Sequence, residues 1–154
     1  MSKENLRQPV LVSACLLGLP TRYDGKAKRS QAVVDYLRHE NLLPIPVCPE
    51  QLAGMTTPRS KTFFHSGDGH DVINGNGRVV SETGQTMNDV FRRGAHLVLQ
   101  VARLCGCQRA LLKDRSPSCG VHRIYRGHDQ VPGVGVATAL LIEAGIEVKS
   151  EEDL

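Results

Sequence analysis

The chain contains no tryptophan, and aromatic residues make up only 4% of its 154 residues. Aromatic platforms that stack the bases of single-stranded nucleic acid are therefore not evident. The net charge of +3 is small, and the basic residues are scattered except between Arg22 and Arg29. The sequence thus predicts no groove for long nucleic acid, and a small anionic or neutral partner fits the composition as well.

Long apolar runs are also absent. No segment approaches the roughly 18 apolar residues of a membrane span, and no signal-peptide pattern opens the chain, so we expect no membrane partner and a cytoplasmic location. Five cysteines, an odd number, argue against a secreted disulfide framework and favour free thiols or metal ligands. A chain of this length can bury a core without either, and we expect a single domain over residues 1–154.

Hydrophobic patterns predict the order of strands and helices. Strands are expected at 9–17, 42–48, 109–113 and 146–148, and helices from Ser30 to about Glu40, from a cap at Ser81 or Thr83 to Cys105, and at 133–143. Pro44 and Pro46 weaken the expectation of regular pairing in the second strand. A polar loop to about Pro132 is expected before the last helix.

Residues 60–85 have a different character, because turn residues are frequent there. The tetrapeptide from Asn74 to Gly77 lies between two short apolar runs, 71–73 and 78–80, and predicts a hairpin or an irregular excursion beside the sheet. The remaining order of elements predicts an α/β fold, a compact Rossmann-like domain with a mainly parallel sheet flanked by helices.

Three cysteines, Cys15, Cys48 and Cys119, are each predicted to close a short apolar strand, and each directly precedes a turn. Because ligands of open α/β sheets gather at the carboxyl ends of the strands, these three thiols could meet at one point. Thiolates select iron–sulfur clusters, zinc or copper(I). The alternative is that all three are buried as small apolar side chains. Cys105 and Cys107 lie at a helix end before a strand instead, and we assign them to packing or incidental roles, although a Cys-x-Cys pair there could also bind metal.

Polar residues adjoin two of these cysteines. Glu50 follows Cys48 closely and is a candidate general acid or base, although an acid at the start of a helix is an equally good interpretation. Ser116 and Ser118 flank Pro117 just before Cys119. Their hydroxyls suit either the positioning of water and substrate or a local turn.

Several motifs resemble those of the thiouracil desulfidase family, in the same order over nearly the whole chain. They are Val12-Ser13-Ala14-Cys15-Leu16-Leu17-Gly18, Arg22-Tyr23-Asp24-Gly25, Cys48-Pro49-Glu50, Pro58-Arg59, Lys113, Ser116-Pro117-Ser118-Cys119-Gly120 and residues 148–154. The chain is similar to the short members of that family, which have one domain.

The resemblance implies a 4Fe-4S cluster held by Cys15, Cys48 and Cys119, with one iron not ligated by protein. It also implies that the sulfur of a thiolated pyrimidine, such as thiouracil, thiouridine or its monophosphate, binds this iron. Water then attacks the carbon and sulfide is released, without redox chemistry. Iron is a soft enough Lewis acid to prefer sulfur to a carbonyl oxygen. Glu50 matches the family's acid/base glutamate, and either Ser116 or Ser118 matches its catalytic serine.

Basic residues follow the first two predicted strands. We expect Arg22, Tyr23 and Arg59 to contact the substrate, and together with Lys26 and Arg29 the two arginines are candidates to pair with a substrate phosphate. A solvated basic surface accounts for these residues equally well.

Two other functions are compatible with the sequence. One is a cysteine persulfide sulfurtransferase, in which a single cysteine attacks sulfur. The other is a non-catalytic zinc or iron–sulfur module, in which His122 would complete a zinc site with the three cysteines. In each case we expect a monomer or a small homo-oligomer.

Overall fold

The computed structural model describes residues 6–154, which form two four-stranded sheets and five α helices. The strands are β1 Gln8–Ser13, β2 Leu42–Val47, β3 Thr62–Ser66, β4 Arg78–Ser81, β5 Arg109–Leu112, β6 Arg123–Arg126, β7 Asp129–Pro132 and β8 Glu147–Ser150. The helices are α1 Gln31–His39, α2 Pro49–Leu52, α3 Gly69–Ile73, α4 Asn88–Cys105 and α5 Val136–Glu143.

The first sheet is parallel throughout, with the order β2-β1-β5-β8. Its interior strand β1 carries an apolar run from Val10 to Val12 that is almost completely buried, as expected for a parallel strand covered on both faces. The strand β2 pairs along its whole length despite Pro44 and Pro46. It lies at the edge of the sheet, where a proline nitrogen can face outward and removes no ladder hydrogen bond. The predicted α/β fold with a parallel sheet is confirmed.

The second sheet is mixed, with the order β4-β3-β6-β7, and the sequence predicted it only in part. A hairpin-like excursion does occur around 60–85, but β4 pairs with β3 and not with residues 71–73. The latter belong to α3, because the Asp68 carboxylate caps that helix by accepting the N–H groups of His70 and Asp71. The predicted polar loop before α5 was also wrong, since it contains the antiparallel pair β6 and β7.

Two helix starts illustrate how caps decide boundaries. Helix α1 begins as predicted, and the Ser30 hydroxyl accepts the N–H of Val33. Helix α4 begins at Asn88, so neither Ser81 nor Thr83 is its cap. Ser81 ends β4 instead, and its hydroxyl accepts the N–H of Gln85 in the turn that follows. Helix α4 ends at Cys105 as predicted, with Gly106 in the left-handed conformation that closes many helices.

The larger of two buried apolar clusters joins the parallel sheet, the helices α3, α4 and α5 and the second sheet. A smaller cluster lies between the parallel sheet and α1. Helix α5 is buried over most of its length and packs against both other helices. No helix within residues 6–154 combines the length and the apolar character that crossing a membrane requires.

Candidate metal centre and active site

A cavity of about 390 Å³ opens at the carboxyl ends of β1, β2 and β5. Nine of the residues that the sequence singled out for metal binding, catalysis or substrate binding line it, namely Cys15, Arg22, Tyr23, Cys48, Glu50, Arg59, Ser116, Ser118 and Cys119. Segments far apart in the sequence therefore converge at one edge of the parallel sheet, as the topology predicts.

The three thiols reach the cavity from different kinds of local structure, and only Cys48 directly follows a strand. Cys15 lies in a 3₁₀ turn, Ala14–Leu17, that follows β1, so the first strand is shorter than predicted. Cys48 caps the short helix α2. Cys119 lies in the loop between β5 and β6, which we call the ligand loop and define as residues 113–122. The expectation that Cys119 closes a strand was wrong.

Burial raises the pKa of each of these thiols. The pKa of Cys15 rises to about 11, although the Lys113 and Arg22 cations oppose the effect of burial. Burial also raises the pKa of Cys48, against backbone N–H groups of α2 that favour its thiolate. Burial raises the pKa of Cys119 most, although the neighbouring Ser13 hydroxyl opposes the effect. At neutral pH all three are therefore protonated thiols, and a metal must displace their protons to bind.

The donor set fits an iron–sulfur cluster better than a single ion. Among residues 6–154, no three His, Cys, Asp or Glu side chains are grouped closely enough to hold one metal ion. In a 4Fe-4S cluster each cysteine ligates a different iron, so the thiols surround the cluster and need not meet at one atom. His122 does not line the cavity, and its ring Nε2 lies 2.9 Å from both carboxylate oxygens of Asp153.

Both carboxylate oxygens of Glu50 accept hydrogen bonds from neighbouring side chains. Its Oε2 accepts from Nε of Arg59 at 2.8 Å and lies 2.6 Å from Nη2 of the same guanidinium. Its Oε1 accepts from the Ser118 hydroxyl at 3.3 Å. The Arg59 and Glu50 side chains are only 5% and 12% exposed. The carboxylate therefore has a fixed orientation inside the cavity.

Arg59 has a structural position that the sequence did not reveal. Its guanidinium also donates to the Thr21 carbonyl at 2.8 Å and to the Thr57 hydroxyl at 2.8 Å, and Nη2 lies 3.9 Å from the Cys48 sulfur. It thereby ties Glu50 to the loop that follows β1. Substrate binding by Arg59 stays a prediction. In this structure its guanidinium forms an ion pair with Glu50.

The two serines are linked and differ in environment. The Ser116 hydroxyl accepts the N–H groups of Ser118 and Cys119 at 3.2 and 3.0 Å, and lies 3.3 Å from the Ser118 hydroxyl. Ser118 is buried and Ser116 is half-buried. Because both lone pairs of Ser116 are used, its proton is free to point to Ser118 or into the cavity. The contacts form a chain from Ser116 through Ser118 to Glu50.

The ligand loop is folded around Asp114, a residue that sequence reasoning missed. One carboxylate oxygen of Asp114 accepts four backbone N–H groups, those of Arg115, Val121, His122 and Arg123, at 2.9 to 3.1 Å. Burial opposes ionisation of Asp114, but these hydrogen bonds outweigh it and lower the pKa. An aspartate directly after a buried strand was the available sequence signal.

Backbone packing holds the same loop from the other side. The first N–H groups of α5, from Val136 and Ala137, donate to the carbonyls of Pro117 and Ser118 at 2.8 and 2.9 Å. Gly135 allows this approach, because a Cβ atom there would lie 2.4 Å from the Ser118 carbonyl. The loop geometry is therefore fixed before any metal binds.

Cations dominate the cavity wall. Arg22, Lys28 and Lys61 line it and have no carboxylate partner within residues 6–154, whereas Arg59, Lys113 and Arg115 are paired with glutamates. Arg22 and Lys61 lie over the rings of Tyr23 and Tyr125, at 5.9 and 5.5 Å from the ring centres. Lys26 and Arg29, two of the predicted phosphate-binding residues, do not line the cavity. The sequence missed Lys28, Lys61 and Tyr125.

Cys105 and Cys107 lie outside the cavity. Cys105 is exposed at the end of α4, and Cys107 is buried in the core. The buried position of Cys107 agrees with packing, and the exposed position of Cys105 agrees with an incidental role.

Known proteins are similar to this chain in sequence and in three-dimensional structure. The chain is 35% identical over 148 residues to the uncharacterized protein YbbK of Bacillus subtilis (strain 168), and the match covers 94% of this chain and 97% of that protein. Its structure resembles that of the 4Fe-4S-dependent thiouracil desulfidase TudS with a TM-score of 0.82 and 39% identity, over 96% of this chain and 93% of that one. Residues 10–153, which include every residue of the cavity, match the family described as 2-thiouracil desulfurase, and the chain belongs to that family.

Proposed function

We propose that this protein is a 4Fe-4S-dependent desulfidase that converts the thiocarbonyl of a thiolated pyrimidine to a carbonyl. In the balanced reaction, water supplies the oxygen, sulfur leaves as hydrogen sulfide, and no electrons are exchanged. The observation that carries the proposal is the convergence of three cysteines with the Glu50 and Ser118 pair in one cavity. The similarity to TudS supports the same reaction class.

Cys15, Cys48 and Cys119 would hold the cluster and leave one iron without a protein ligand. When bound, the cluster would supply a soft Lewis acid for the thiocarbonyl sulfur, which would make the adjacent carbon more electrophilic. The backbone N–H groups at the start of α2 and the Ser13 hydroxyl are placed to stabilise two of the thiolates.

Glu50 is the general base in this proposal. Its carboxylate is fixed by Arg59 on one oxygen, and its other oxygen, which accepts from the Ser118 hydroxyl, has a second lone pair that can accept a proton from the attacking water. Arg59 is a positioning residue in this scheme. Ser118 relays a proton between Glu50 and Ser116, and the half-buried Ser116 hydroxyl faces the reacting atoms.

The unpaired cations support an anionic or strongly polar substrate. Arg22, Lys28 and Lys61 are suited to a phosphate, and Tyr23 and Tyr125 offer ring faces to a pyrimidine base. Thiouracil, thiouridine and its monophosphate are the proposed substrates. A lower KM for the monophosphate than for the free base, lost in Lys28→Met, would support phosphate recognition. Equal KM values would contradict it.

A cytoplasmic location belongs to the same proposal, because reducing conditions keep all five cysteines free. Assembly as a monomer or a small homo-oligomer is a prediction that size-exclusion chromatography would test.

The deciding experiment is anaerobic reconstitution followed by iron and sulfide analysis and an assay of thiocarbonyl absorbance. We expect about four irons and four sulfides per chain and loss of absorbance for 2-thio or 4-thio substrates. Cys15→Ser, Cys48→Ser and Cys119→Ser should each lower the iron content, whereas the exposed Cys105→Ser is the matched control and should not.

Two outcomes would replace the proposal. A single essential cysteine, with the other two dispensable, would indicate a persulfide sulfurtransferase. Stoichiometric zinc without turnover would indicate a binding module.

A further inference from the structure

The last residues of the described chain contact the ligand loop through three consecutive acidic residues. Strand β8 ends at Ser150, and a 3₁₀ turn follows over Glu151–Asp153. Glu151 lies 3.3 Å from the Lys113 ammonium, Glu152 pairs with Arg115, and Asp153 pairs with His122 at 2.9 Å. We call this turn the acidic turn.

The acidic turn has a rigid shape of its own. The Ser150 hydroxyl accepts the N–H of Glu152 at 3.1 Å, and the Asp153 carboxylate accepts the N–H of Ser150 at 2.8 Å. These reciprocal bonds form a capping box, and Ser150 is fully buried. The three carboxylates are therefore presented in a fixed order to the ligand loop.

The three contacts differ in burial. Arg115 and Glu152 are each 40% exposed, and the His122 side chain is 51% exposed, so solvent screens both of these pairs. Lys113 and Glu151 are only 18% and 14% exposed. In addition, both oxygens of Glu151 accept the backbone N–H of Asp114 at 3.0 Å. Glu151 is thus the member of the turn whose loss leaves a buried backbone donor of the ligand loop without a partner.

Glu151 acts on the cavity through two neighbouring residues. Through the N–H of Asp114 it fixes the backbone where β5 passes into the ligand loop, and Asp114 in turn gathers the four N–H groups that fold that loop. Through Lys113 it holds an ammonium group that lines the cavity. Ser116, Ser118 and Cys119 all lie in the sequence between Asp114 and Val121, which these hydrogen bonds hold together.

We propose that Glu151 is a positioning residue that fixes the ligand loop, and with it Cys119 and the two serines, in the geometry that holds the cluster. The link to the cluster rests on the proposed function, whereas the link to the loop does not. The matched variants are Glu151→Gln and Glu152→Gln, which remove the same charge at adjacent positions. Glu151→Ala removes both acceptor oxygens.

The first measurement is amide hydrogen exchange of the metal-free protein. Glu151→Ala should raise exchange about tenfold at residues 114–123, the factor that corresponds to one lost buried hydrogen bond. Exchange in β1 and in α4 should not change. Glu151→Gln keeps one acceptor oxygen and should show a smaller rise at the same amides. Glu152→Gln should match the wild-type protein.

The second measurement is the rate at which a chelator removes iron from the reconstituted protein. Release should be faster in Glu151→Ala than in Glu152→Gln by about the same factor.

The proposal is overturned if Glu151→Ala and Glu152→Gln behave alike in exchange, or if exchange rises equally throughout the protein. Should Glu151→Ala not fold, Glu151→Gln decides by the same comparison. A protein that binds no cluster at all would contradict the proposed function, and hydrogen exchange would still decide the role of Glu151.

Discussion

Replacing Arg59 by methionine should destabilise the metal-free protein far more than the loss of an ordinary surface arginine. The guanidinium donates to Glu50, Thr21 and Thr57, and its side chain is only 5% exposed. Methionine fills similar volume but leaves the Glu50 carboxylate buried, with the Ser118 hydroxyl as its one remaining hydrogen-bond partner among residues 6–154. Removal of one member of a buried ion pair costs about 3–5 kcal/mol in the free energy of unfolding.

A double-mutant cycle separates the pair from the other contacts of Arg59. Glu50→Gln in the Arg59→Met background removes the unpaired charge, so the double variant should be less destabilised than the sum of the single variants. The coupling should lie between about 0.5 and 3 kcal/mol. Arg126→Met is the control, because within residues 6–154 the side chain of this exposed arginine makes one hydrogen bond, to the Gly67 carbonyl, and its loss should cost about 1 kcal/mol or less.

The assay is urea unfolding of the metal-free protein at neutral pH, followed by circular dichroism. Because small domains are stable by only about 5–15 kcal/mol, the predicted loss would shift the midpoint clearly. If Arg59→Met lowers the free energy of unfolding no more than the control Arg126→Met does, the reasoning about Arg59 is refuted.

Three further predictions follow from other contacts. Asp114 has a lowered pKa, so its contribution to stability is present above the unfolded-chain value of about 3.9 and is lost as pH falls through the lower folded value. In urea unfolding between about pH 5 and pH 2, Asp114→Asn should therefore lose less stability than the wild-type protein, and parallel curves would contradict this. Gly135→Ala places a Cβ 2.4 Å from the Ser118 carbonyl, so it should lower both the urea midpoint of unfolding and the iron content after reconstitution. Full iron content would show that the ligand loop can move to accommodate the methyl group. Ser30→Ala removes the cap of α1 and should cost about 1 kcal/mol in urea unfolding without changing iron content, whereas a change in iron content would connect α1 to the cavity.

The parallel sheet was predictable because its strands are short apolar runs separated by helical patterns. Those patterns depend only on local periodicity, which sequence retains. The second sheet was harder, because β6 and β7 are short and polar, with no alternation of buried apolar residues. Residues 71–73 looked like a strand, but the Asp68 cap and the tight turn at Gly67 place them in a helix.

The candidate site also contains residues that the sequence reveals and residues that it does not. The three cysteines, Glu50 and the two serines have chemically reactive side chains, so residue type and motif order could single them out as candidates. Lys28, Lys61 and Tyr125 have no such motif, and they reach the cavity from a loop and the second sheet. Lys26 and Arg29 lie in the same segment as Lys28 but face elsewhere, a distinction that depends on the path of the loop.

The sequence by itself determined the α/β class, the order of the parallel strands along the chain and the set of reactive side chains. These features follow from hydrophobic periodicity and residue chemistry, which are local. Only the tertiary structure decided that Arg59 fixes Glu50, that Asp114 folds the ligand loop, and that Glu151 contacts this loop from the other end of the chain. Such contacts satisfy buried polar groups across long sequence separations, and their partners are chosen by the packing of whole elements.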